Sequence, residues 1–122
     1  SPEEAEREIV SLSAIESIKD IERQTGRAIL PSIFDGYTEQ MSEKLEELSR
    51  HLKIGDPILL YKSAHAIKSM SANIGAERVR YLGSYIEKRG REGNIGGLQP
   101  TIAELIDAYE EFSREFKSML VN

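Results

Sequence analysis

Apolar residues recur at every third or fourth position through most of this chain, the period of helices with one buried face. The clearest stripe is Leu30, Ile33, Phe34, Tyr37, Met41, Leu45, Leu48 and Leu52. Glu39, Glu43, Glu46 and Arg50 lie off it, as a solvated face would. A helix over about 28–53 is predicted, ended by Gly55. Before it, "LSAIESIKDIERQTG" predicts a shorter helix over 13–25, with Ser13 and Glu16 as a capping box and Gly26 as the stop. After it, Asp56 is a good N-cap and Pro57 a good first residue for a helix over 57–74. Gly75 then allows a turn into a helix over 76–89, carried by Val79, Leu82 and Ile86. "RGREGNIGGLQP" reads as a loop. A last helix, over 100–121, carries Ile102, Leu105, Ile106, Tyr109, Phe112, Phe116 and Leu120. No segment alternates as a strand does, and no repeat is visible. Four long amphipathic helices with mostly short connections predict an all-α, antiparallel up-down four-helix bundle, capped at one end by the short N-terminal helix.

Composition narrows the classes. The 122 residues suit one domain spanning 1–122, and 39% apolar with 30% charged residues is a soluble globular balance. No apolar run approaches the ~20 residues of a membrane span. Cysteine is absent, which removes disulfides and thiolate chemistry. A net charge of −5 without a basic block argues against nucleic-acid binding. The start at Ser1-Pro2 is expected for a domain excised from a larger protein.

The chemistry concentrates in the third helix. Its inward stripe is Leu60, Ala64, Ile67, Ser71 and Ile74, and at about 100° per residue His65 points roughly 140° away from that stripe. Tyr61, Lys62, Lys68, Ser69 and Ala72 surround His65 on the outer face. Geometry alone leaves the ordinary reading standing, a histidine that is merely exposed. Metal binding is weak, because no His, Asp or Glu lies three or four residues from His65. His51, at the end of the second helix, is placed to interact with the helix dipole. There is no nucleophile elbow and no Walker-type loop, and "GNIGG" is not a dinucleotide fingerprint.

The stretch "AHAIKSMSANIGA", Ala64 to Ala76, closely resembles the signature of histidine-containing phosphotransfer (HPt) domains of two-component phosphorelays. The matching positions are Ala64, His65, Ile67, Lys68, Ser69, Ala72, Asn73, Ile74 and Gly75; Ser69 stands where glycine is usual, and Met70 where a small residue is. The resemblance implies a phosphocarrier without an ATP-binding motif, not an enzyme. His65 would accept a phosphoryl group from a receiver-domain aspartate, through Nε2, and pass it to another receiver. The second ring nitrogen would be held by a hydrogen bond whose partner the sequence does not name. Lys68 would assist electrostatically, and Ser69 would leave room for the receiver. Tyr61, Lys62 and Ala72 are candidate docking residues, together with exposed side chains level with Leu45. The domain would need no metal or cofactor of its own, Mg2+ arriving with the receiver. It would be a monomer when isolated, cytoplasmic, without membrane contact of its own, and the C-terminal module of a hybrid sensor kinase, whose parent chain could be anchored in the inner membrane. The alternative is a structural or adaptor bundle that keeps the fold without phosphotransfer.

Overall fold

A computed structural model of the chain describes residues 8–120. Five helices make up most of it: α1 Leu12–Thr25, α2 Leu30–Ile54, α3 Pro57–Ile74, α4 Glu77–Arg91 and α5 Gln99–Leu120. The sheet content among these residues is one isolated antiparallel bridge, Val10 to Ala76. The fold is all-α, and α2 to α5 run alternately up and down as the apolar periodicity predicts.

Local chemistry sets most boundaries. Asp56 accepts hydrogen bonds from the Ile58 and Leu59 amides, at 3.0 and 3.1 Å, and Pro57 starts α3 without a wasted N–H. Gly75, at φ 81°, ends α3 in the left-handed region, and the Ala76 amide returns to the Ser71 carbonyl at 2.9 Å. The turns at Gly55 and Gly75 are tight, so α2, α3 and α4 are successive antiparallel neighbours, with α3 packed most extensively on α4.

Elsewhere, tertiary contacts move the boundaries. The first helix begins at Leu12, one residue before the predicted range, and its cap lies two residues before the predicted one. Ser11, not Ser13, is its N-cap, with Oγ accepting from the Ala14 amide at 3.4 Å. The extended segment before it decides this: the Ser11 amide donates to the Gly75 carbonyl at 2.7 Å, fixing where the chain can turn into a helix. The start of α2 falls at Leu30 rather than 28 because its amides are capped from α1. Glu22 Oε2 accepts from Ile29 and Leu30 at 2.6 and 3.0 Å. The first turn of α4 starts at Glu77, whose amide finds the Ile9 carbonyl at 3.1 Å, and α4 continues to Arg91. Residues 92–98 form the expected loop, closed by Arg89, which donates to the Asn94 and Gly96 carbonyls, each at 2.6 Å. The predicted end of the last helix at 121 lies outside the described residues.

The core runs along the bundle axis. Leu60, Ala64, Ile67 and Ile74 of α3 meet Met41 and Leu48 of α2, Val79, Leu82 and Ile86 of α4, and Leu105, Phe112 and Phe116 of α5. Phe34 stacks on Phe116 with centroids 4.9 Å apart. Ser71, the polar member of the α3 stripe, bonds the Tyr37 hydroxyl at 2.8 Å, so the core keeps no unmet partner there. Burial pushes the Tyr37 phenol well above its ordinary range. Helix α1 buries Ile15 and Ile18 across the end where α2 begins and α3 finishes.

Candidate functional site

With its inner face committed to the core, α3 presents His65 outward. The His65 side chain is 54% exposed, midway along the helix. The Tyr61 ring, one turn earlier, lies nearly parallel to the imidazole, with centroids 6.2 Å apart.

The side of the imidazole toward α4 is held by Glu87. Glu87 Oε2 is hydrogen-bonded to His65 Nδ1, and Oε1 accepts from Lys68 Nζ at 2.7 Å. The Glu87 side chain is only 5% exposed. Gly90, three residues on, lets the two helices meet closely beside it. A Cβ at Gly90 would come within 3.0 Å of the Pro57 carbonyl oxygen and the Tyr61 nitrogen, and one at Gly83 would lie 3.4 Å from the Lys68 nitrogen. The α4 backbone therefore approaches α3 closely, and Glu87 is delivered into the seam. Burial raises the Glu87 pKa, but hydrogen bonds and charge from Lys68 and His65 outweigh it and leave the carboxyl below its ordinary value.

A carboxylate on Nδ1 fixes the imidazole tautomer: the proton resides on Nδ1, and Nε2 across the ring carries the lone pair. The arrangement leaves Nε2 free to act as a nucleophile, and a positive charge on the ring would be met by a buried anion. Arg91, one turn beyond Glu87, completes the cluster. Its guanidinium lies 5.2 Å above the Tyr61 ring, and Nη2 is 3.9 Å from Glu87 Oε1.

Of the residues singled out in the sequence, His65, Lys68 and Tyr61 come together here. Ser69 and Ala72 are exposed farther along the same face, and Lys62 is exposed on the flank away from α4. Leu45 is half-buried against the core, and His65 makes its interhelical hydrogen bond to α4 rather than to α2. His51 sits apart. Its Nδ1 is 3.0 Å from the hydroxyl of Ser63, which itself donates to the Leu59 carbonyl at 3.1 Å, so this histidine ties α2 to α3. Glu87 and Arg91 lie on α4, and spacing along α3 carries no information about them. The available signal is Gly90 inside a helix, where glycine costs about 1 kcal/mol relative to alanine and so points to a close approach.

Residues 32–115 match the Hpt domain family. The chain belongs to that family. Hpt domains are phosphocarrier modules of two-component systems rather than enzymes, and they exchange phosphoryl groups with receiver domains; this chain is therefore a phosphotransfer carrier. Solved Hpt structures share the fold. The histidine-containing phosphotransfer protein HptB of Pseudomonas aeruginosa superposes with a TM-score of 0.82 at 21% identity, over 91% of this chain and 93% of its own. The maize phosphotransfer protein ZmHP2 gives 0.82 at 17% identity, over 92% of this chain and 83% of its own. The HPT domain of a hybrid histidine kinase from Shewanella gives 0.64 at 19% identity, over 90% and 88%. No curated protein matches the sequence. No helix among the described residues is long and apolar enough to cross a membrane.

Proposed function

We propose that His65 is the phosphoacceptor of this Hpt domain and that Glu87 and Lys68 prepare it. The lone pair on Nε2 attacks the phosphorus of a receiver's aspartyl phosphate, in line with the departing carboxylate oxygen. The N–P bond forms as the P–O bond breaks, and the electron pair returns to the aspartate. No proton has to move. The proton on Nδ1 stays in its hydrogen bond, the ring becomes cationic, and the buried carboxylate of Glu87 faces that charge as it develops. The reverse transfer, to a second receiver, uses the same geometry.

Lys68 offsets the Glu87 charge at rest, and its ammonium is one turn from the phosphoryl position. Ser69 and Ala72 are small and exposed, so a receiver can press against α3, with Tyr61 and Lys62 at the edges of the contact. His65 and Glu87 sit among Lys68 and Arg91, a balance that does not suit a divalent cation, so the Mg2+ of the reaction belongs with the receiver. The domain works as a cytoplasmic monomer. Its place as the C-terminal module of a hybrid sensor kinase draws support from the likeness to the Shewanella domain. Flow would then run from that kinase's receiver to His65 and on to a second receiver.

The observation that carries this reading is an outward imidazole whose Nδ1 is held by a buried carboxylate, in a chain of the Hpt family. Incubation with a panel of phosphorylated receivers tests it. Transfer of label to the domain from at least one receiver is expected, and failure with every receiver would contradict it.

A further inference from the structure

Two cations approach one oxygen of Glu87, and only one of them is bonded. Lys68 Nζ is 2.7 Å from Oε1, whereas Arg91 Nη2 is 3.9 Å from the same atom, too far for a hydrogen bond. Arg91 is not pinned elsewhere by burial, since its side chain is 62% exposed. It rests over Tyr61, the ring that also stacks on His65, so it is held close to the site without being consumed by it.

This geometry matters once His65 carries a phosphoryl group, the reading on which the inference rests. A phosphoryl dianion on Nε2 would draw a mobile cation, and Lys68 stands one turn along α3 with its ammonium already at the site. The departure of Lys68 would leave Oε1 of the buried Glu87 without a partner, with the His65 ring bonded on Oε2 alone, and an unmet buried carboxylate oxygen beside a new dianion is costly. We propose that Arg91 exchanges with Lys68: as the Lys68 ammonium moves from Glu87 Oε1 to the phosphoryl oxygens, the Arg91 guanidinium closes onto Oε1 in its place. The residue type suits the task. Guanidinium is always charged, and its planar fork matches a carboxylate. The spacing suits it too, because Arg91 is four residues after Glu87 on the same face of α4. Arg91 is thus a positioning residue. It keeps Glu87 anionic and on Nδ1 while Lys68 is engaged elsewhere.

Phosphoramidate separates the exchange from receiver docking, since it hands its phosphoryl group directly to a histidine nitrogen and leaves as ammonia. Treated with it, the wild-type domain should show the Arg91 side-chain N–H signals in the NMR spectrum shift and exchange more slowly with water as His65 becomes phosphorylated. His65→Gln under the same treatment should show no such change. In transfer from a receiver, Arg91→Gln and Lys68→Ala should each slow the reaction several-fold. Their combination should lose about tenfold more than the product of the single losses, because each cation covers for the other. Arg91→Lys should recover part of the rate. Unchanged Arg91 signals with His65 demonstrably phosphorylated would overturn the exchange alone, as would single losses that simply multiply. Absence of label on His65 from both phosphoramidate and receivers would overturn the phosphoacceptor reading, and the exchange with it.

Discussion

Glu87 carries the most chemistry per residue. Its carboxylate bonds His65 Nδ1 and Lys68 Nζ, and in the proposed reading it would face the charge that phosphorylation of His65 creates. Glu87→Gln keeps the shape and removes the charge. A charge-assisted hydrogen bond is worth about 1.5–3 kcal/mol, so transfer should slow about ten- to a hundredfold, measured by rapid quench with a phosphorylated receiver. An unchanged rate would mean that the carboxylate only packs. The tautomer gives a second readout, since the imidazole nitrogen shifts of Glu87→Gln should show protons shared between Nδ1 and Nε2. The sequence exposed His65 and Lys68 because a single helix places them on one face at known angles. Glu87 escaped because it lies on another helix, and spacing along α3 carries no information about what α4 brings across the seam. The same limit applies to His51, whose partner Ser63 is defined by the α2–α3 contact and not by the helix end.

The site depends on how closely α4 lies against α3. At Gly90 an added Cβ meets backbone atoms at 3.0 Å, which cannot rotate away, whereas at Gly83 the nearest atom is an ordinary contact at 3.4 Å. Gly90→Ala should therefore destabilise the bundle by about 1–3 kcal/mol in denaturant unfolding, despite alanine's better helix propensity, and slow transfer by displacing Glu87. Gly83→Ala should be neutral or gain up to about 1 kcal/mol. Equal effects at the two positions would show that the seam is not the constraint. The junction of α1 and α2 is governed by Glu22, whose bonds from the Leu30 and Ile29 amides hold its carboxyl below the ordinary value of 4.5. A depressed folded-state pKa contributes stability that is fully present above the ordinary value and is lost as pH falls through the folded one. Protection of the Ile29 and Leu30 amides against hydrogen exchange, relative to their intrinsic rates, should accordingly fall as pH drops through the depressed folded-state value, while Glu22→Gln should show low protection already at neutral pH and no such fall. These tertiary caps explain why the apolar period located every helix while some starts shifted by a residue or two. Asp56 and Gly75 act locally and were legible; Glu22 capping Ile29 and Ile9 capping Glu77 join segments distant in sequence.

At the scale of the whole molecule, the up-down order converts one amphipathic helix into a display. Because α3 is packed between α2 and α4, a single strip of it remains for a partner, and His65 stands near the middle of that strip. Ser69 lies one turn from His65 and is exposed, so the proposed receiver contact would cross it. Ser69→Phe should leave the melting temperature nearly unchanged, as exposed substitutions shift stability by less than ~0.5 kcal/mol, while weakening receiver binding in a titration. Normal transfer by that variant would place the docking surface elsewhere. The bundle and its histidine were legible from period and motif together, whereas the orientation of the imidazole was not, since it depends on a contact between helices. The central claim is that the phosphoryl group resides on His65, and the direct test is to locate it. After incubation with a phosphorylated receiver, the domain should carry one acid-labile, base-stable phosphate, mapped by mass spectrometry to His65, and His65→Gln should carry none while melting like the wild type. A phosphate on His51, or label retained in full by His65→Gln, would contradict the account.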